Sequence, residues 1–238
     1  MTLISLVLLR IKNLSCIIKI LPLFRGFFMK NFDKNEIEGL LFDFFSSKAI
    51  ESDTIPDIDL YMDQVTTFIE GEMGSLKRKN EDKMLTKTMI NNYTKEGILF
   101  PPVLKKYTKN HIKMLVMIYY CKQVLSINDV KAILKPLSDN IKPPDSKEGK
   151  SNGKKNTESV DLDFLEKLYE TFLSIEESKR NEFQIAMTDM MNRIETIDEE
   201  LFNRSWVLLM VIDLVLQAHM RKAMAEKLID TYIATDEE

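Results

Sequence analysis

Hydrophobic positions recur at helical spacing along most of the chain. Leu85, Met89, Ile90 and Tyr93 fall on one side of a short predicted helix, with Thr86 as its N-cap. Gly97 is placed to end that helix in the left-handed conformation. The spacing turns Lys87, Thr88, Asn91, Asn92 and Lys95 outward. Pro101 and Pro102 then stiffen an extended turn that carries Lys105 and Lys106 at its tip, followed by Tyr107. Thr108 caps the next predicted helix, whose core contacts are Ile112, Leu115, Met117, Ile118 and Cys121. His111 lies in its first turn and reads as a surface histidine. Ser126 begins another helix, with Asp129 completing a capping-box pattern and Ile127, Val130, Ile133 and Leu134 as the apolar stripe.

Upstream, the segment "NFDKNEIEGLLFDFFSSKAI" after Met29 reads as a short amphipathic helix. A second helix is expected after Pro56, capped by Asp57 or a neighbour, with Ile58, Tyr61, Met62, Val65, Phe68 and Ile69 on its apolar side. Downstream, "KPPDSKEGKSNGKKNTES" has the composition of a linker. Beyond Gly153 the chain contains no glycine or proline, which points to continuous helix. Phe183, Met187, Met190, Ile194, Ile197 and Leu201 step by alternating fours and threes, a coiled-coil-like seam. A very apolar helix is expected over 199–234, and Asp213, Gln217 and His219 within it favour a core helix or subunit interface over a membrane span. The pattern therefore predicts an all-α protein.

Charge sharpens this picture. The chain of 238 residues has net charge −4, yet its signs are segregated. Residues 77–113 carry 10 basic against 3 acidic residues, whereas 29–76 carry 3 against 11 and 161–238 carry 8 against 18. The one basic window holds the short polar helix and the proline turn. Short, hydrogen-bonding and basic side chains of this kind can reach base edges and phosphates, so an anionic partner is expected for that face.

Residues 1–28 are apolar and basic without a single acid, and their apolar run comes before the positive charge. That order is wrong for a signal peptide. We read them as translated leader sequence, with Met29 as the expected start.

Several chemistries find no footing. Two cysteines, Cys16 and Cys121, without a CxxC exclude a disulfide scaffold and a cysteine-rich zinc site. Cys121 sits in an apolar run and reads as core, which fits a reducing compartment. Asp53, Asp57, Asp59 and Asp63 lack EF-hand spacing and read as a helix start. The "GKS" at Gly149 is no P-loop, because Pro144 stands where its first glycine is required. No nucleophile–base pair or metal cluster is evident, so neither an enzyme nor a cofactor is expected.

Two resemblances rest on these residues. The stretch "LTKTMINNYTKEGILFPP" followed by "KYTKNHIKMLVMIYYCKQVLSINDVKAIL" resembles the MerR-type winged helix-turn-helix. Tyr93, Glu96, Gly97, Ile98, Leu99, Pro101 and Pro102 match its first part, Tyr107, Thr108, Ile112, Leu115 and Ile118 the next, and Ser126, Ile127, Val130 and Leu134 the last. With "IPDIDLYMDQVTTFIE" added, residues 50–138 are more closely similar to the bacterial domain of unknown function eighteen thirty-six family.

The resemblance implies a MerR-like helix-turn-helix domain over 53–140, preceded by an N-terminal helix over 29–52. A flexible linker over 141–160 and a C-terminal helical bundle or dimerisation region over 161–238 would follow. It implies a cytoplasmic, sequence-specific transcriptional regulator whose partner is double-stranded DNA. Thr86, Lys87, Thr88, Asn91 and Asn92 would enter the major groove, and Lys95, Lys105, Lys106 and Tyr107 would hold the backbone. The acidic C-terminal helices would join two chains into a homodimer and stand away from DNA, with no membrane involved. The rival expectation is a protein-interaction module that keeps the fold without binding DNA, suggested by the acidic total charge and the short wing "VLKKYT".

Overall fold

The computed structural model describes residues 34–141, 162–194 and 199–233. The chain is mostly helical. Among the described residues there are seven α-helices and two strands of two residues each. Helix α1 spans Lys34–Ser46, β1 Leu60–Tyr61, α2 Met62–Met73, α3 Lys87–Lys95, β2 Lys106–Tyr107, α4 Lys109–Lys122 and α5 Ile127–Asn140. Two long helices follow, α6 over Leu162–Ile194 and α7 over Glu199–Tyr232. The expected leader and most of the expected linker lie outside the described residues.

Local chemistry sets the ends of the short helices. Thr86 Oγ1 accepts the Met89 N–H at 3.1 Å and so satisfies one of the orphan donors of α3. At the other end Gly97 takes φ +73°, and two backbone bonds close a Schellman motif: Ile98 N–H to Tyr93 O at 2.9 Å, and Gly97 N–H to Thr94 O at 3.2 Å. Ser126 and Asp129 form the expected reciprocal box at the start of α5, with Asp129 N–H donating to Ser126 Oγ and Ser126 N–H to Asp129 Oδ2.

The start of α2 differs from the sequence expectation. The N-cap is Tyr61, whose N–H donates to Gln64 Oε1 at 2.8 Å. Asp57 is not the cap and pairs instead with Lys109 at 3.0 Å. Leu60 and Tyr61 are extended because they pair antiparallel with Tyr107 and Lys106. As a result Ile58 and Tyr61 face solvent, while Val65, Ile69 and Met73 are the buried residues of the helix. Ile127 is likewise exposed, at the first position of α5, while Val130 and Leu134 are buried.

One hydrophobic core joins α2 through α5 and extends into α6. It contains Val65, Ile69, Ile90, Tyr93, Ile98, Leu99, Ile112, Leu115, Ile118, Val130 and Leu134, together with Leu165 and Tyr169. Burial of a side chain of this size contributes roughly 1.5–3 kcal/mol. Tyr169 donates its hydroxyl to Ile50 O, and Phe172 stacks edge-on to Tyr120 with centroids 5.3 Å apart. The first turns of α6 thus belong to the same core as α2–α5. A second, smaller cluster sets Met187 and Met190 of the sequence seam against Phe45 of α1, with Met210 and Leu214 of α7 packed beside them. The side chains of Ile194, Ile197 and Leu201 lie outside the described residues.

Candidate nucleic-acid interface

Helix α3 is short and two-faced. Ile90 and Tyr93 are buried, and Lys87, Thr88, Asn91, Asn92 and Lys95 are all exposed, as their spacing requires. Thr86 is half-buried because its hydroxyl is committed to the cap. Lys95 lies in the last turn, where a cation complements the negative end of the helix dipole.

The proline turn forms a tight hairpin over 103–106. Lys106 N–H donates to Val103 O at 2.9 Å, and Leu104 and Lys105 hold φ of 51° and 63°. Positive φ at both central positions is the geometry of a type I′ turn, the turn whose twist suits paired strands. Lys105 is fully presented at the tip. Lys106 is half-buried, and its ammonium stands over the Tyr61 ring, 5.7 Å from the centroid.

Tyr107 does not join the exposed set. It is 3% exposed, and burial pushes its phenol above the ordinary range. Its position alternates with that of Lys106 in β2, so the strand turns its ring into the core. His111 is also buried, contrary to the surface position expected from sequence. Its ring packs on Phe100, centroids 4.0 Å apart, and edge-on to Tyr107 at 5.3 Å. Nδ1 accepts the Thr108 N–H at 3.0 Å, which fixes the entry to α4. Tyr107 and His111 therefore pack beneath the hairpin.

Burial lowers the His111 pKa from 6.5 to about 4, against weaker opposing effects of the Pro101 and Phe100 carbonyls. The neutral ring is the folded form, and the unfolded chain binds the extra proton below about pH 6.5. Stability from this group is thus complete above pH 6.5 and is lost as pH falls toward 4, by about 3 kcal/mol in total. Urea unfolding from about pH 7.5 to 4.5 should show this loss in the wild type and a much weaker one in His111→Gln. Parallel curves for the two proteins would count against a buried neutral imidazole.

Ion pairs tie the face together. Lys87 pairs with Asp63 in the first turn of α2, and Lys131 of α5 pairs with Glu96 at 2.8 Å. Lys87 and Lys106 are thereby held against residues only two positions apart, Asp63 and Tyr61. Both α3 and β2 pack against α2. Lys95 and Lys105 have no ion pair among the described residues.

Sequence reasoning missed two contributors. Exposed Lys135 of α5 runs beside Gly97, where an added Cβ would meet its Cε at 3.4 Å. Exposed Lys83 lines an open cleft of about 340 Å³ with Thr66, Thr67, Glu70, Leu85, Thr86 and Lys87. The four-residue spacing of Lys131 and Lys135 signals a shared helix face, but only packing shows that this face borders α3. The expected acidic cluster at the start of α2 is split between partners, Asp57 with Lys109 and Asp63 with Lys87.

The molecule is thus a mostly helical protein with a small strand pair, carrying a compact basic and amide-rich face. Residues 50–156 match the family described as Domain of unknown function (DUF1836). That segment contains α2–α5 and every residue of the face. No curated protein and no solved structure matches the chain. No helix among the described residues is long and apolar enough to cross a membrane.

Proposed function

We propose that the protein is a bacterial, cytoplasmic transcriptional regulator that binds double-stranded DNA through α3 and the 103–106 hairpin, as a MerR-like winged helix-turn-helix. The element order supports this: a strand, two helices, a hairpin and two further helices. The observation that carries it is that Lys106 stands over the Tyr61 ring and Lys87 pairs with Asp63, so both cations contact the first residues of α2. In this reading Lys87, Thr88, Asn91 and Asn92 face the major groove, where an asparagine can bond adenine through two atoms. Lys95, Lys105 and Lys106 take phosphates, and Lys83 and Lys135 extend the same rim.

The test is the salt dependence of affinity for a duplex covering the protein's own promoter region. About five phosphate contacts predict a log–log slope of about −4 to −5. Lys105→Ala with Lys106→Ala should flatten it by about two. Absence of binding at low salt would overturn the reading. It would favour a protein-interaction module, which gains support from the neutralisation of Lys87 and Lys131 by Asp63 and Glu96.

Homodimerisation through the C-terminal helices completes the proposal. Helix α7 exposes Ile212, Leu216, Met220, Met224 and Leu228, a ridge stepping by four. The ridge is symmetric about Met220. Antiparallel pairing of two copies sets Ile212 against Leu228, Leu216 against Met224, and Asp213 against Lys227. In these three pairs apolar meets apolar and acid meets base, as a two-fold interface requires.

A further inference from the structure

Helix α6 meets the rest of the core through one face of its first turns. Leu165 and Tyr169 are fully buried there, and Leu168 and Phe172 are half-buried beside them. Phe164, Lys167, Glu170 and Thr171 around the helix are exposed. The four inward positions stand at i, i+3, i+4 and i+7, the anchor spacing of a helix laid in a groove. Leu165 and Tyr169 join a core whose other buried members all come from residues 49–141.

Polar groups fix the register of that contact. The Glu166 carboxylate takes Lys113 Nζ on one oxygen and Ser52 Oγ on the other, the latter at 2.6 Å. Tyr169 donates its hydroxyl to Ile50 O, and Lys113 Nζ lies 5.7 Å from the Tyr169 ring centroid. Lys113 is fully buried, so its ammonium demands a counter-charge at that one place. Apolar packing alone tolerates several registers, whereas a buried cation selects the helix that brings a carboxylate next to its first anchor. We propose that residues 49–141 form a receptor for an amphipathic helix, and that α6 is the ligand it holds within the chain. The ligand class is a helix with apolar residues at i, i+3, i+4 and i+7 and a carboxylate at i+1. The family match ends at residue 156, before α6, as suits a receptor separable from its ligand. None of these residues belongs to the DNA-facing set, so the inference stands apart from that reading.

The test uses the full chain with Leu165→Ala and Tyr169→Ala, which vacates the groove, and a fluorescein-labelled peptide of residues 162–176. Fluorescence anisotropy should show the peptide binding this variant. Binding to the wild type should be at least about tenfold weaker, because the tethered helix competes. A peptide carrying Glu166→Gln should bind the variant about tenfold more weakly than the native peptide. Adding Lys113→Met to the variant should erase that difference. A folded variant that ignores the peptide, or takes both peptides equally, overturns the proposal. If circular dichroism shows the variant unfolded, hydrogen exchange of the wild type decides. The amides of 164–173 should open together while α4 and α5 stay protected. Exchange of all three helices in a single event would make α6 a fixed part of the core and overturn the receptor.

Discussion

Replacing Glu166 with alanine is expected to cost the folded protein about 3 kcal/mol. Its partner, Lys113, has a fully buried side chain in the middle of α4, held by the Glu166 carboxylate and placed 5.7 Å from the Tyr169 ring. Ser52 Oγ donates to the other carboxylate oxygen at 2.6 Å. Without Glu166 the ammonium keeps its desolvation and loses its counter-charge. Breaking a buried pair costs about 3–5 kcal/mol, and the low end applies because Glu166 keeps 39% of its surface, where water screens it. The Lys113 hydrogen bond, then that of Ser52, lowers the Glu166 pKa below its ordinary 4.5. Its contribution is therefore present above pH 4.5 and disappears as pH falls through the depressed value, a window more acidic than that of His111. Urea denaturation at neutral pH measures the loss. Adding Lys113→Met to Glu166→Ala should recover most of it, since the stranded charge is gone. A loss under about 1 kcal/mol would mean that the pair behaves as an exposed one. Because this clasp joins α6 to α4, the same variant should also loosen α6, which hydrogen exchange would show.

Leu216→Asp is expected to turn the proposed dimer into a monomer while leaving each chain folded. Leu216 is 54% exposed in the single chain, so the charge is tolerated there. In the antiparallel pairing the substitution removes an apolar contact and buries a carboxylate beside Met224, and symmetry makes it count twice. The combined cost is about 3–6 kcal/mol, a more than hundredfold weakening of association. Sedimentation equilibrium with far-ultraviolet circular dichroism separates the two effects. A wild type that stays monomeric at tens of micromolar, or a variant that dimerises as well as it, would remove α7 as the interface.

The exposed face of α3 was legible in the chain because a 3.6-residue period decides which side chains share a side, and Lys87, Asn91 and Lys95 share one. The hairpin was less so. Lys105 and Lys106 are adjacent in sequence and read as equivalent, yet one stands free at the tip and the other lies over Tyr61. Nothing in the sequence signalled that Tyr107 is buried, because its pairing with Leu60 joins segments 47 positions apart. Lys135 went unnoticed because its helix is separated from α3 by the whole of α4.

By itself the sequence determined the helical class, the caps at Thr86 and Ser126, and the left-handed stop at Gly97. Each depends on hydrogen bonds spanning no more than five residues, so the information is local. Tertiary structure alone decided which aromatics vanish into the core, that Lys113 is buried, and that α3 and β2 both pack against α2. Those outcomes follow from contacts between distant segments, where burial and pairing override the preference of any single residue.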